Sequence, residues 1–305
     1  MTTPFTVIPA TTIDDSNLVS STITEDDYPE WSDASVAYVT GDRRIVIADH
    51  LIYEAAQDHT SSGANAPDPN GSTEFWLVVG PTNKYAAFDQ AEGTVSNSSS
   101  DITFVVTGSD ITGMHFRNVT GESIRIQASN GMTTYYDETY ELIDQGVVLN
   151  WWDYFYGTIR TQSQYTTLEV PPAINSTYTI TIAARESVAE IGTFVMGTYI
   201  QYGFTQYNAK LSSVRYGKTT TDQFGTTKLR AGGGAFRMNV SIVAERGVVD
   251  AIAYDLLDLS DTAAVWLAAY DTYRSLSIYG FYNDWDIDIA NPSYSYATLQ
   301  IQGFT

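Results

Sequence analysis

The sequence predicts a mostly β protein with one main helix. Three stretches alternate apolar and polar residues as half-buried strands do: SIRIQAS (123–129), TYTITIA (177–183) and DWDIDIA (284–290). Thr, Val, Ile and Tyr, which favour strands, are abundant along the chain. A fourth stretch, VVDAIAYDLLDL (248–259), instead spaces its apolar residues at helical intervals, so the main helix is predicted there.

Changes in these patterns divide the chain into four parts. Residues 1–28 are rich in Thr, Ser and Asp, which fits either an extended arm docked on the protein or a frayed terminus. Residues 29–80 form a small β module with a polar loop. Residues 81–187 hold short strands separated by turns, which predicts a jelly-roll sandwich. Residues 188–305 form a β-rich α+β domain that contains the helix.

Composition narrows the classes of function. The chain has 305 residues, no cysteine and a formal charge of −21, with 36 Asp and Glu against 15 Lys and Arg. Such a negative surface repels phosphate, so we expect no nucleic-acid partner. No stretch has the ~20 apolar residues of a membrane span, and the N-terminal residues lack the features of a signal peptide. We therefore expect a soluble protein that is made in a cytoplasm, without membrane insertion.

The stretch STEFWLVVGPTNKYAAFDQ (72–90) joins an apolar strand to a Gly-Pro corner. Pro81 fixes φ and removes a hydrogen-bond donor, so we expect it to end the strand that contains Trp76. Asn83 is expected to hydrogen-bond within its own turn, and Asp89 to cap the segment that follows. We expect Trp76 to be buried where the small module meets the sandwich, which makes this stretch a scaffold corner.

The small module has a series of aromatic, Gly and Pro residues in a characteristic order: Trp31, Ala37–Tyr38, Gly41–Asp42, Tyr53, Pro67 and Trp76. Over about fifty residues, this order resembles the chitin-binding modules attached to many secreted chitinases. The resemblance implies that four aromatic residues contact a cell-surface glycan: Trp31, Tyr38, Tyr53 and Trp76. Against this stands a structural interpretation, in which so small a module needs its aromatic residues to fill its core.

Four longer motifs are spread along residues 31–305: WLVVGPTNKYAAFD, TGMHFRNVTGESIRI, WWDYFYG and SIYGFYNDWDIDIANPSYSYATLQIQGF. With these motifs, most of this range resembles a family of structural tail proteins of tailed bacteriophages. The resemblance implies a galactose-binding-like jelly roll and a non-enzymatic virion protein in the tail, made in the host cytoplasm. Its partners would be other tail proteins and copies of itself, at the tip, the baseplate or a fibre attachment. The alternatives are a stand-alone carbohydrate-binding protein and a glycosidase with an appended binding module.

No pattern in the chain indicates a catalytic, metal or cofactor site. The sequence lacks the H-E-x-x-H, G-x-S-x-G and phosphate-loop motifs. Of its three histidines, His59 is expected to be solvated in the polar loop and His115 to be a satisfied strand residue. The carboxylates that most resemble a glycosidase pair are Asp153, Asp284, Asp286 and Asp288. We expect the last three to form the solvated face of one strand.

The segment NWWDYFYG (150–157) has five aromatic residues in six positions. Interpreted as a strand, it places Trp152, Tyr154 and Tyr156 on one face and Trp151, Asp153 and Phe155 on the other. We expect one face to pack into the core and the other to form a subunit interface, where Trp and Tyr commonly act as anchors.

Overall fold

The computed structural model describes residues 3–131, 133–144, 150–156, 160–221, 223–230, 232–260, 262–271, 273–289 and 291–305. The described residues form 26 strands, two α-helices and four short 3-10 turns. The mostly β prediction is therefore confirmed. The strands build a small N-terminal module, a two-sheet sandwich and a closed barrel, all antiparallel in their sheets.

The N-terminal residues are a docked arm and not a frayed terminus. Strand β1 (Pro4–Pro9) inserts into the barrel between β19 (Ile200–Thr205) and β24 (Ala264–Leu267). Strand β2 (Leu18–Ser21) then pairs with β9 (Ile102–Gly108) at the edge of the sandwich. The arm thus supplies one strand to each large unit.

The small module contains two short sheets. Strand β3 (Ala37–Tyr38) pairs with β6 (His59–Thr60). Strand β5 (Leu51–Ala55) lies between β4 (Arg43–Val46) and β7 (Trp76–Pro81). Strand β7 ends at Pro81, as predicted.

The sandwich packs a five-stranded sheet against a three-stranded one. The larger sheet has the order β12-β11-β16-β9-β2, with β11 at Ser123–Asn130, β12 at Thr133–Glu141 and β16 at Ser176–Ile182. The smaller sheet places β10 (Gly113–Arg117) between β15 (Gln164–Thr167) and β18 (Thr193–Gly197). Two further pairs are β8 (Ser96–Ser98) with β17 (Ala189–Ile191), and β13 (Ile143–Asp144) with β14 (Arg160–Thr161). Alternate residues of β11 and β16 enter one core, as their sequence pattern predicted.

The predicted boundary near residue 187 is wrong, because β17 and β18 belong to the sandwich. Ala189, Ile191, Phe194 and Met196 lie in the sandwich core. The break in pattern at residues 185–188 is a tight turn inside this unit, where Glu186 and Ser187 have φ angles of 52° and 62°. Turn residues in the left-handed region explain the polar interruption without a change of domain.

Residues after the sandwich form a six-stranded barrel together with β1 of the arm. The order is β19-β1-β24-β25-β26-β23, with β23 at Gly234–Glu245, β25 at Ser277–Asp288 and β26 at Tyr294–Gly303. Pairing of Phe204 with Val243 and of Thr205 with Ile242 joins β19 to β23 and closes the ring. The first half of β23 pairs instead with β20 (Lys210–Arg215), which continues into the hairpin of β21 (Lys218–Thr221) and β22 (Thr227–Arg230).

The predicted helix is α2 (Val249–Asp258). Its Val249, Ile252 and Leu256 side chains enter the barrel core. The Tyr282 hydroxyl on β25 donates a hydrogen bond of 2.8 Å to the Leu256 carbonyl. The helix therefore covers part of the barrel interior and buries its apolar stripe, as its spacing predicted.

A hydrophobic cluster, separate from the cores of the two units, joins the sandwich to the barrel. Ile8 of β1 and Val265 of β24, on the outer face of the barrel, pack with Val195 of β18. The backbones come so close that a Cβ on Gly197 would lie 2.1 Å from the Pro9 carbonyl oxygen. Glycine is therefore required at position 197 for the two units to meet.

We expect Phe5→Ala to lower the free energy of unfolding by about 3–5 kcal/mol, because it leaves a cavity in the barrel core. Phe5 is fully buried and packs on Trp266 with ring centroids 6.3 Å apart. Val19→Ala is the control on the same arm, since Val19 is 62% exposed and should change stability by less than about 0.5 kcal/mol. Urea unfolding curves measure both; equal losses would contradict the role assigned to β1.

Candidate functional site

The four aromatic residues proposed for glycan contact lie together in the small module, but mostly inside it. Tyr38 is 2% exposed, and Tyr53 and Trp76 are fully buried. Trp31 is half-buried and packs against the same cluster. A ring whose faces are covered cannot stack on a sugar, so Tyr38, Tyr53 and Trp76 fill the module core as the structural interpretation predicted.

Hydrogen bonds fix these core residues by their polar atoms. The Trp76 indole N–H donates to the Asn65 carbonyl at 3.0 Å, and the Tyr53 hydroxyl to Asp49 at 3.2 Å. Tyr38 meets Trp76 edge-on at 5.1 Å. Trp76 is buried as expected, but within the module's own core and not at its junction with the sandwich.

The prediction that His59 is solvated is wrong. Its ring packs edge-on against Trp76 at 5.1 Å and lies 5.2 Å from Phe75. Its Nδ1 atom is 2.8 Å from the Gln57 carbonyl oxygen. The imidazole therefore extends the module core, because β6 turns it inward.

A network of polar side chains at the corner after β7 holds the arm, and we name it the corner latch. The nearly buried Glu25 carboxylate accepts a hydrogen bond of 2.8 Å from Thr82 and lies 2.9 Å from His50 Nδ1. The other ring nitrogen of His50 is 3.2 Å from Asp15, and its ring stacks on Tyr85 at 3.7 Å. A histidine between two carboxylates can support acid–base chemistry. Here the histidine and both carboxylates are already held by contacts with neighbouring side chains, and these contacts join the arm to the corner.

Asn83 and Asp89 anchor the chain after the corner. Asn83 bonds across to β8 and not within its own turn: its amide donates to the Asn97 carbonyl at 2.9 Å. Asp89 accepts from Thr94 and from the Ala91 amide, so the capping prediction holds. Burial raises the pKa of Asp89, while these hydrogen bonds oppose the rise.

The carboxylates of β25 have the predicted surface position. Asp284, Asp286 and Asp288 are exposed on one face, while Trp285 and Ile287 pack toward the barrel core. The side chain of Asp153 lies outside the described residues. Among the residues that the structure describes, no group of three or more His, Asp or Glu side chains is placed to hold a metal ion.

A groove at one end of the barrel was not predicted from the sequence. It has a volume of about 460 Å³ and is lined by the β19–β20 connection and the loop around residues 269–276. Tyr207 is 87% exposed and Tyr273 59% exposed, beside the amide side chains of Gln206 and Asn208. The Thr205 hydroxyl, also in the lining, is buried and has no partner among the described residues. The only sequence signal was a Tyr and two amides after a strand.

The segment WWDYFY is helix α1 (Trp151–Tyr156), and the prediction of a strand is wrong. Side chains one turn apart pair: Trp151 stacks with Phe155 at 6.0 Å and Trp152 lies 4.5 Å from Tyr156. Such i, i+4 contacts favour a helix. All five aromatic side chains, including Tyr154, are between 65% and 78% exposed, so neither face packs into the core.

Comparison with protein-family models, curated proteins and solved structures finds no match to the chain. Within the described ranges, no helix is long and apolar enough to cross a membrane. Function must therefore be argued from the surfaces of this chain.

As the sequence predicted, His115 is a hydrogen-bonded strand residue, although only one of its two ring nitrogens has a partner among the described residues. It is fully buried on β10, with Nδ1 2.7 Å from the Thr166 hydroxyl. Its Nε2 has no partner among the described residues. Burial, assisted by the positive charge of Arg117, lowers the pKa of His115 to about 3. The ring is thus neutral in the folded protein, which fits a structural role.

We expect His115 to make the protein less stable in mild acid. The unfolded chain binds a proton at this residue below pH of about 6.5, whereas the folded protein excludes it down to about pH 3. This contribution is therefore complete above pH 6.5 and is lost as pH falls from 6.5 toward 3. His115→Gln cannot titrate, so between pH 7 and pH 4.5 it should lose about 2 kcal/mol less stability than the wild type. Parallel pH–stability curves from urea titrations would contradict this.

Proposed function

We propose that this chain is a structural component of a bacteriophage tail, which works by assembly and not by catalysis. Exposure of the α1 aromatic cluster (Trp151, Trp152, Tyr154, Phe155 and Tyr156) is the observation that carries the proposal. Monomeric proteins rarely expose so many large aromatic side chains together, and Trp and Tyr are enriched at the centres of protein interfaces. The occupant that we assign to this cluster is a neighbouring tail protein.

The helix itself supports an assembly role. Six residues make an isolated helix marginal in water, and the aromatic rings of α1 pair mainly with one another. Packing into a partner would bury the rings and hold the helix. The resemblance of the sequence to tail structural proteins supplies the setting: a virion tail, assembled in the host cytoplasm from this chain, its copies and other tail proteins.

The arrangement of titratable groups agrees with a function without catalysis. Glu25 and His50 are engaged in the corner latch, and His115 is sealed inside the protein. The aspartates of β25 are exposed on the solvated face of one strand. A glycosidase needs two carboxyl groups facing the scissile bond with one pKa raised by burial.

The triple variant Trp151→Ala, Trp152→Ala, Phe155→Ala should remove the protein from purified phage particles. Its thermal unfolding should match the wild type, because exposed side chains change stability by no more than about 0.5 kcal/mol each. Tyr254→Ala is the matched control, since Tyr254 is 71% exposed on α2. Quantitative mass spectrometry of particles grown by complementation measures incorporation.

Normal incorporation of the triple variant would contradict the role of α1. Absence of the wild-type protein from purified particles would contradict the proposed function as a whole.

A second function, glycan contact, is favoured by the barrel groove. Exposed tyrosines beside amide side chains are typical of sugar-binding surfaces, where rings stack on the sugar and amides bond its hydroxyls. Tyr207 and Tyr273 provide the rings. The sequence predicted glycan contact in the small module, and we now propose it for the groove at the end of the barrel instead.

Tyr207→Ala and Tyr273→Ala should each weaken retention on peptidoglycan or chitin about tenfold, which corresponds to the loss of ~1.4 kcal/mol of contact. Tyr254→Ala should be retained like the wild type. If the wild-type protein passes both matrices unretained, the groove has no role in binding these glycans.

A further inference from the structure

The basic residues of this acidic chain are concentrated in one projecting segment. Residues 210–230 contain five of the 15 Lys and Arg but one of the 36 Asp and Glu. This segment, here named the ribbon, consists of β20 and the β21–β22 hairpin. Its formal charge is +4, while the rest of the chain carries −25. Almost every described residue of the ribbon is exposed.

The hairpin of the ribbon has one cationic face. Lys218 pairs with Arg230 and Thr220 with Lys228, and paired residues of antiparallel strands share a face. Lys218, Lys228 and Arg230 therefore project to the same side, while Leu229 projects to the other. These three cations form no ion pair with the residues that the structure describes.

The β21–β22 hairpin of the ribbon extends away from the barrel, whereas β20 pairs with β23. Backbone pairing continues from Arg215 and Gly234 through a hydrogen bond of 2.9 Å between Tyr216 N–H and the Gly233 carbonyl into the hairpin. The strands cross closely here, since a Cβ on Gly232 would lie 2.6 Å from the Gly217 nitrogen. The hairpin thus extends beyond the barrel end where β23 begins.

The aspartates of β25 lie beside the middle and the far end of β23. Asp284 pairs with Gln300, which pairs with Asn239, and Asp288 pairs with Tyr296, which pairs with Val243. The aspartates therefore stand about 17 to 30 Å along β23 from Gly234, at about 3.3 Å per residue. A hairpin that extends beyond Gly234 runs away from these positions in its own chain.

Spacing on the two surfaces matches. Asp284, Asp286 and Asp288 repeat every second residue, which places neighbouring carboxylates about 7 Å apart along the strand. Lys228 and Arg230 repeat at the same interval on β22. Each aspartate is exposed and has no ion pair within the described ranges. We name Asp284, Asp286 and Asp288 the acidic ladder.

We propose that the cationic face of the ribbon docks on the acidic ladder of a second copy of this chain. This inference rests on the proposed assembly function and names one of its contacts. The −25 charge of the remaining chain disfavours a polyanion as the occupant, because a phosphate polymer would be repelled by everything around the ribbon. A copy of the chain brings a matching row of carboxylates on its own barrel.

The contact joins different surfaces of the two copies, so it is heterologous. In a pair of copies, one copy keeps a free ladder and the other keeps a free ribbon, so further copies can add at both ends. The assembly becomes a ring or a filament, depending on the rotation between neighbouring copies. The hairpin lies beyond the start of β23 and the ladder beside its middle and far end, which gives a head-to-tail arrangement.

Charge reversal tests the contact in purified protein. The ribbon variant is Lys218→Glu, Lys228→Glu, Arg230→Glu, and the ladder variant is Asp284→Lys, Asp286→Lys, Asp288→Lys. Sedimentation velocity over a concentration series should show wild-type self-association at low salt, which 0.5 M NaCl weakens. Each variant alone should associate at least about 100-fold more weakly, because like charges then face each other.

Mixing separates a specific contact from a general effect of charge. An equimolar mixture of the two variants, and a single chain that carries both reversals, should each recover association. The control Glu122→Lys, Glu138→Lys, Glu141→Lys makes the same change in net charge as the ladder variant on exposed sandwich residues. It should associate like the wild type.

A wild-type protein that stays monomeric at all concentrations would overturn the inference, as would single variants that associate normally. Tighter binding of the wild-type protein to heparin than to its own copies would also overturn the inference, in favour of a polyanion. Incorporation into phage particles is measured separately on the α1 variant, so the proposed function can stand when this contact fails.

Discussion

Insertion of β1 into the barrel is the constraint on which the remaining structure depends. One face of this strand places Phe5 and Val7 in the barrel core, and the other places Ile8 against the sandwich. Without β1, strands β19 and β24 have no common neighbour and the ring of strands is open. Residues 4–9 therefore close a barrel whose other strands lie between residues 200 and 303, and the same strand contacts the sandwich.

The same constraint explains which elements the sequence could predict. Strands with one solvated face, such as β11 and β16, alternate visibly and were predicted correctly, as was the amphipathic α2. Strand β1 is covered on both faces, and a short continuous apolar run carries no period that identifies it. Helix α1 was taken for a strand because five aromatics in six positions fit neither period; its i, i+4 ring pairs became evident only in three dimensions.

The candidate site residues could likewise be predicted only in part. The sequence identified the right aromatic residues in the small module, but residue type alone cannot show whether a ring faces a sugar or a core. A module of about fifty residues has little other apolar volume, so Tyr38, Tyr53 and Trp76 turn inward, and His59 joins them. The groove at Tyr207 and Tyr273 combines segments distant in sequence, and no local pattern marks such a meeting.

The two surfaces that we propose for assembly differ in the interactions that they would contribute. Aromatic anchors such as those of α1 supply affinity through desolvation, with little control over orientation at long range. Charged surfaces such as the ribbon and the ladder act before contact and select one orientation among many. At physiological salt the Debye length is about 8 Å, so the −21 charge does not prevent approach, and matched charges decide which faces touch. Because α1 lies in the segment between β13 and β14 and the ribbon extends from the barrel, the two proposed contacts use separate parts of the chain.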